Sequence, residues 1–229
     1  MEQMTINQWV KVIHENAVAH GWWDDPRRFG TVHMLVVCEL AEAVEADREG
    51  LPMAYCGSTS KECEKAPAID TVKIGGHEHN TPCASCSLEH RKPEGVAVEV
   101  IDALIRLLDW CGHVGIDLEE MVHNMHGTKE RGLNQWVNLA HKEIALNGRD
   151  CGVDGMEFGE AMLYIAEDIS MANSCDRKKF PQDVVNNFVF SAIERLLDWC
   201  AVNSVDVEAI MWEKHKYNIT RPFRHGKTY

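Results

Sequence analysis

Met34–Asp47, MLVVCELAEAVEAD, sets carboxylates into an otherwise apolar run, and Val96–Trp110, VAVEVIDALIRLLDW, does the same. Glu39 and Glu42 stand three apart in the first run, and Glu99 and Asp102 repeat that spacing in the second. A separation of three puts each pair on one face of a helix. Read as two helices, these runs set the fold class as all-α. Carboxylates that apolar neighbours draw into a core are costly to desolvate unless cations or good donors meet them. One such glutamate reads as the polar stripe of an ordinary amphipathic helix. Two matching pairs read as a site, and four converging carboxylates form a hard-oxygen set suited to Mg²⁺.

Outward from these runs, Ile6, Trp9, Val10, Ile13, Ala17 and Val18 recur at helical spacing, predicting a first helix over 5–20 that Gly21 ends. A turn-rich connection through Trp22-Trp23-Asp24-Asp25-Pro26 follows. The second helix is expected over 29–49 and the third over 96–113. Asp117, with Glu119 and Glu120 behind it, is the expected N-cap of a fourth. Between 50 and 95 the periodicity disappears and Gly, Pro, Ser, Thr and Cys accumulate, as in an irregular insertion.

The second half of the chain repeats the first. Asn7-Gln8-Trp9-Val10 with His14 returns as Asn134-Gln135-Trp136-Val137 with His141, and Arg106-Leu107-Leu108-Asp109-Trp110-Cys111 returns as Arg195-Leu196-Leu197-Asp198-Trp199-Cys200. Phe29-Gly30 returns as Phe158-Gly159. Two tandem units result: 1–128 with the insertion 50–95, and a degenerate copy, 129–229. In the second unit Asp168, Met171, Phe188 and Ser191 fall opposite Glu39, Glu42, Glu99 and Asp102, so most carboxylates are lost. Residues kept in both copies, such as Trp9, Arg106 and Asp109, read as shared scaffold.

Lys plus Arg number 23 against 36 Asp plus Glu, a net charge of −13, which argues against a nucleic-acid polymer or an anionic membrane as partner. No apolar run reaches the roughly 18 residues of a membrane span, and the N-terminus has no signal-peptide pattern. Nine cysteines, several within apolar helical runs such as Cys38, Cys111 and Cys200, suit a reducing compartment. The expected location is the cytoplasm.

Gly21 to Arg27, then Glu39-Leu40-Ala41-Glu42-Ala43 with Glu45 to Arg48, then Glu99-Val100-Ile101-Asp102 running through Gly115-Ile116-Asp117-Leu118-Glu119-Glu120, resemble the MazG-like all-α nucleoside triphosphate pyrophosphohydrolases. So does a C-terminal tail with Lys214, Tyr217-Asn218, Arg221-Pro222 and His225-Gly226-Lys227. The resemblance covers about half the chain. It implies helical hairpins that associate in pairs, Mg²⁺ (with Mn²⁺ as a substitute) on Glu39, Glu42, Glu99 and Asp102, and cleavage of a (deoxy)nucleoside triphosphate between its α- and β-phosphates. The products would be a nucleoside monophosphate and pyrophosphate, in a role cleansing or rebalancing the nucleotide pool. Lys214, Asn218, Arg221, His225 and Lys227 form a donor-rich, cationic segment fit to hold a triphosphate. Two departures stand out: Cys38 occupies a place where family members often carry a further glutamate, and the first copy lacks the tail, with Met125, Lys129 and Gly132 aligned against Lys214, Asn218 and Arg221. The expected architecture is a fused pseudo-dimer in which copy one supplies metal ligands and copy two the substrate-holding tail.

Within the insertion, Cys56, Cys63, Cys83 and Cys86 are a candidate four-thiolate structural zinc site, with His77, His79 and His90 as substitutes. Trp22 and Trp23 are candidates to stack a nucleobase, the other use of such a pair being core packing. His14, His33, His113 and His123 read as structural. Two other functions compete with the enzyme: a noncatalytic nucleotide-binding regulatory protein, and a zinc-stapled module for a protein partner. A homo-oligomer of the fused pair is a further expectation.

Overall fold

The computed structural model describes residues 4–58, 91–127, 132–147 and 152–228. Among these residues the fold is all-α, with one short strand pair. The helices are α1 (Ile6–Ala19), α2 (Phe29–Arg48), α3 (Val96–Val114), α4 (Leu118–His126), α5 (Leu133–Asn147), α6 (Phe158–Arg177), α7 (Gln182–Val202) and α8 (Val207–Thr220), followed by a 3₁₀ turn at Phe223–Gly226. The expected boundaries of the first three helices hold to within a residue. Thr5 begins α1 with a reciprocal capping box with Gln8, and Asp117 accepts from Glu120 N at the start of α4. No helix among the described residues is long and apolar enough to cross a membrane.

α2 packs along α3 and α6 along α7; α2 also lies against α6, and α3 against α7, so these four form the centre. α1 covers α3 and α5 covers α7, while α8 reaches across to α3. The continuous apolar run at the start of α3 follows from this position: Val96, Ala97, Val98, Val100 and Ile101 are all buried because the helix meets neighbours on several sides. The thiols of Cys111 and Cys200 lie wholly inside the core, where burial pushes Cys111 up to about 12 and Cys200 higher still. Cys38, by contrast, is exposed.

The recurring motifs make recurring contacts. His14 Nδ1 donates to Asp109 at 2.7 Å, and His141 Nδ1 donates to Asp198 at 2.7 Å. Asn7 reaches the α4 cap Asp117 at 2.8 Å, and Asn134 reaches the α8 cap Asp206 at 2.9 Å. Asp198 is 1 % exposed and also accepts from Val153 N at 2.9 Å. Truncating it strands a buried N–H and an imidazole. Asp198→Ala is therefore expected to lower the free energy of unfolding by about 1–3 kcal/mol, read as a lower urea midpoint at unchanged slope; an unshifted midpoint would show that neither bond contributes.

Only the ends of the insertion are described, and these are more regular than expected. They form β1 (Tyr55–Ser58) and β2 (Arg91–Glu94), paired antiparallel with Tyr55 opposite Glu94 and Ser58 opposite Arg91. Four-residue strands containing Gly57 and Pro93 are too short and too poor in β-formers to show a period of two. Of the zinc candidates, Cys63, Cys83 and Cys86 lie outside the described residues, as do His77, His79 and His90, and Cys56 is placed only as a backbone position of β1.

Candidate metal and anion site

One helical turn separates Glu39 from Glu42 on α2 and Glu99 from Asp102 on α3, and packing α2 along α3 turns both pairs into the same space. Each of Glu39, Glu42 and Glu99 offers a carboxylate oxygen within 4.8 Å of the others, a separation that one cation can bridge. Glu39 is 7 % exposed, and its Oε1 accepts from Arg106 Nε at 2.5 Å. Asp102, the expected fourth ligand, lines the same cavity; its Oδ2 is held by Lys214 Nζ from α8, and it falls outside the three-residue cluster. Lys214 is 3 % exposed, so an ammonium in the core has recruited the nearest carboxylate.

Four carboxylates against the two cations that engage them, Arg106 and Lys214, leave an excess of two negative charges. Glu42 and Glu99 form no salt bridge among the described residues. The strain of this crowding is visible in the acidities. Burial raises Glu39 above the ordinary carboxylate range despite Arg106. Burial, then repulsion from Asp102, pushes Glu99 up to about 7, with Lys214 pulling the other way. A divalent cation would offset both effects, so the donor set fits a hard metal ion such as Mg²⁺.

These carboxylates line a cavity of about 310 Å³. Lys214, Asn218, Arg221, His225 and Lys227 line it as well, and so do Trp22 and Trp23. The expected tail is in part a helix: α8 continues to Thr220, which puts Lys214 and Asn218 one turn apart on it and leaves Arg221 as its C-cap. Met211 and Lys214 are buried because α8 is packed against α3 and α5 rather than extended into solvent. The Oδ1 of Asn218 and the Nε2 of His225 are buried without a hydrogen-bond partner among the described residues. Burial, followed by repulsion from Arg221, lowers His225 to about 3, so its ring is neutral.

The two tryptophans separate in role. Trp23 stacks on His113 at 3.7 Å and 9°, and its Nε1 donates to Asp109 at 2.9 Å, which commits it to the scaffold even where it borders the cavity. Trp22 meets His225 edge-on at 5.3 Å and lies 5.9 Å beneath the Arg106 guanidinium. His14 and His113 are spent on Asp109 and Trp23, and His33 on the Phe29 carbonyl and ring.

Two wall residues escaped the sequence reading. Arg106 matches Arg195 and so reads as scaffold, yet it lines the cavity and holds Glu39. Both assignments apply: Arg195 holds Asp168 in the second unit in the same manner. Lys92, from β2, lines the cavity from within the insertion, where no motif marked it. The end of α4 meets α7 and α5 through His126, whose Nε2 donates to Glu194 at 2.7 Å and whose Nδ1 lies 3.9 Å from Glu143. Compared with known protein families, with curated proteins and with solved structures, the chain matches none.

Proposed function

We propose that this chain is a Mg²⁺-dependent nucleoside triphosphate pyrophosphohydrolase, cleaving ribo- or deoxynucleoside triphosphates between the α- and β-phosphates. One observation carries the reading: a three-carboxylate cluster and a cationic, donor-rich segment from a distant part of the chain line one cavity together. Lys214 and Lys92 are already paired with Asp102 and Glu94, whereas Arg221 and Lys227 line the cavity with no salt bridge among the described residues, a pattern suited to a metal-bound polyanion.

In this reading Glu39, Glu42 and Glu99 hold the cation, with Arg106 fixing the orientation of Glu39. Asp102, neutralised by Lys214, bounds the site rather than completing the first ligand set. Bound Mg²⁺ supplies neutralisation of phosphate charge and a water of lowered pKa. Arg221, Lys227 and Lys92 orient the phosphates, and a cluster carboxylate accepts the proton of the attacking water as the anhydride bond breaks and pyrophosphate leaves. Trp22 and the unpartnered Asn218 and His225 are left to face the rest of the nucleotide.

The same reading makes the chain a fused pseudo-dimer with one working site. The pairs His14–Asp109 and Arg106–Glu39 recur as His141–Asp198 and Arg195–Asp168. Among the described residues only the first unit has a three-carboxylate cluster. The expected result is pyrophosphate release from at least one member of a nucleotide panel with Mg²⁺, at one nucleotide per chain by calorimetry, and a loss of at least about 100-fold in Glu42→Gln. Stoichiometric binding with no release would favour the noncatalytic regulatory alternative, and neither binding nor release would refute both.

A further inference from the structure

We propose that Arg224 is a positioning residue: it fastens the C-terminal strap, residues 221–228, to the Gly21–Asp25 turn and so holds His225 in the wall of the triphosphate cavity. This rests on the functional reading above.

The strap belongs to the second unit and the turn to the first, and three of the five polar atoms of Arg224 join them. Its backbone N–H donates to His20 O at 2.8 Å, its Nε to Gly21 O at 2.9 Å and its Nη2 to Asp25 Oδ2 at 2.6 Å, while Nη1 reaches back to Thr228 O at 3.4 Å. The side chain is 15 % exposed despite its place near the end of the described chain. Beside it the ring of Phe223 closes on Gly21. A Cβ built on Gly21 would fall 1.9 Å from a ring carbon, and Gly21 itself has φ +75°, so the turn needs glycine for both its backbone and its surface.

Arg224 and His225 have φ of +47° and +51°, two successive non-glycine residues in the left-handed region. Such a pair is disfavoured and persists only where surrounding contacts over-determine it. The bonds of Arg224 to the turn are those contacts, and they set the direction of the next residue. His225 is thereby placed 5.3 Å from Trp22 and 5.9 Å from His20, with its unpartnered Nε2 buried. A lysine at 224 keeps the charge but lacks the planar fork that serves a carbonyl and a carboxylate together.

Three measurements on the full chain test this: amide hydrogen exchange of 221–228 without nucleotide, calorimetric affinity for an α,β-methylene nucleoside triphosphate with Mg²⁺, and Mn²⁺ affinity by electron paramagnetic resonance. For Arg224→Ala and for Gly21→Ala, strap exchange should rise about tenfold or more and triphosphate affinity fall about tenfold, with Mn²⁺ affinity unchanged. Arg224→Lys should show most of the same loss. In a His225→Ala background, Arg224→Ala should cost little more, because the two act as one unit. Unchanged exchange in both variants would overturn the fastening. Looser straps with undiminished triphosphate affinity, or full additivity with His225→Ala, would overturn the positioning role. If the wild type binds no triphosphate, the functional reading falls and the positioning role with it, while the exchange data still decide whether Arg224 holds the strap.

Discussion

Glu99→Gln should lose at least about 10³-fold in pyrophosphate release, roughly 4 kcal/mol of transition-state stabilisation, while making the metal-free protein more stable at pH 8. The two effects have one origin. Glu99 is drawn into a crowded, partly buried cluster that raises its pKa from the ordinary 4.5 to about 7. Because the native state holds this proton more tightly than the unfolded chain does, the group's contribution to stability is complete below pH 4.5 and is lost as pH rises through 7. Glutamine has no such charge to desolvate. Allowing for solvent screening at a partly exposed site, a gain of about 1 kcal/mol at pH 8 is expected, or about 2–4 °C in Tm, vanishing towards pH 4.

Metal binding must expel the same proton, so Mn²⁺ affinity of the wild type should fall about tenfold from pH 8 to pH 6. Calorimetry at the two pH values, with thermal melts in chelator, reads both quantities. Equal Mn²⁺ affinity in wild type and Glu99→Gln would remove Glu99 from the ligand set. A Glu99→Gln protein that melts lower than wild type at pH 8 would show that the carboxylate is satisfied without a metal.

The four carboxylates were legible in the sequence because helical spacing is a local property: residues three apart share a face whatever the helix packs against. What meets them was not. Lys214 is 112 positions from Asp102 in sequence, and no local pattern says that α8 crosses to α3. For the same reason a charge-rich C-terminal segment read as a tail, when α8 packing buries part of it. Arg106 was misjudged by a different route. A residue kept in both copies suggests scaffold alone; the matched pairs with Glu39 and Asp168 agree with that use, but only packing of α2 along α3 shows that the same guanidinium also lines the cavity. Lys92 carried no signal at all, since its place depends on a four-residue strand pair within an otherwise aperiodic segment.

Lys214→Met should be the most destabilising substitution at the site, at about 3–5 kcal/mol, because it removes the cation and leaves Asp102 facing an acidic cluster inside the protein. In a chain of this length that is a fall in Tm of about 10 °C. The ammonium also pulls Glu99 downward, so its removal should push Glu99 further up and move the pH midpoint of Mn²⁺ binding above 7. A stability loss alone would leave open whether Lys214 acts on substrate or only on the fold, and the second substitution Asp102→Asn separates these. Neutralising both partners removes the uncompensated charge, so Lys214→Met/Asp102→Asn should recover most of the lost stability. Pyrophosphate release should not return with it, because the neutral pair no longer contributes a cation next to the cavity where the triphosphate would lie. Recovery of turnover together with stability would make the Lys214–Asp102 pair a strut between α8 and α3, and would leave Arg221, Lys227 and Lys92 as the cations that meet the phosphates.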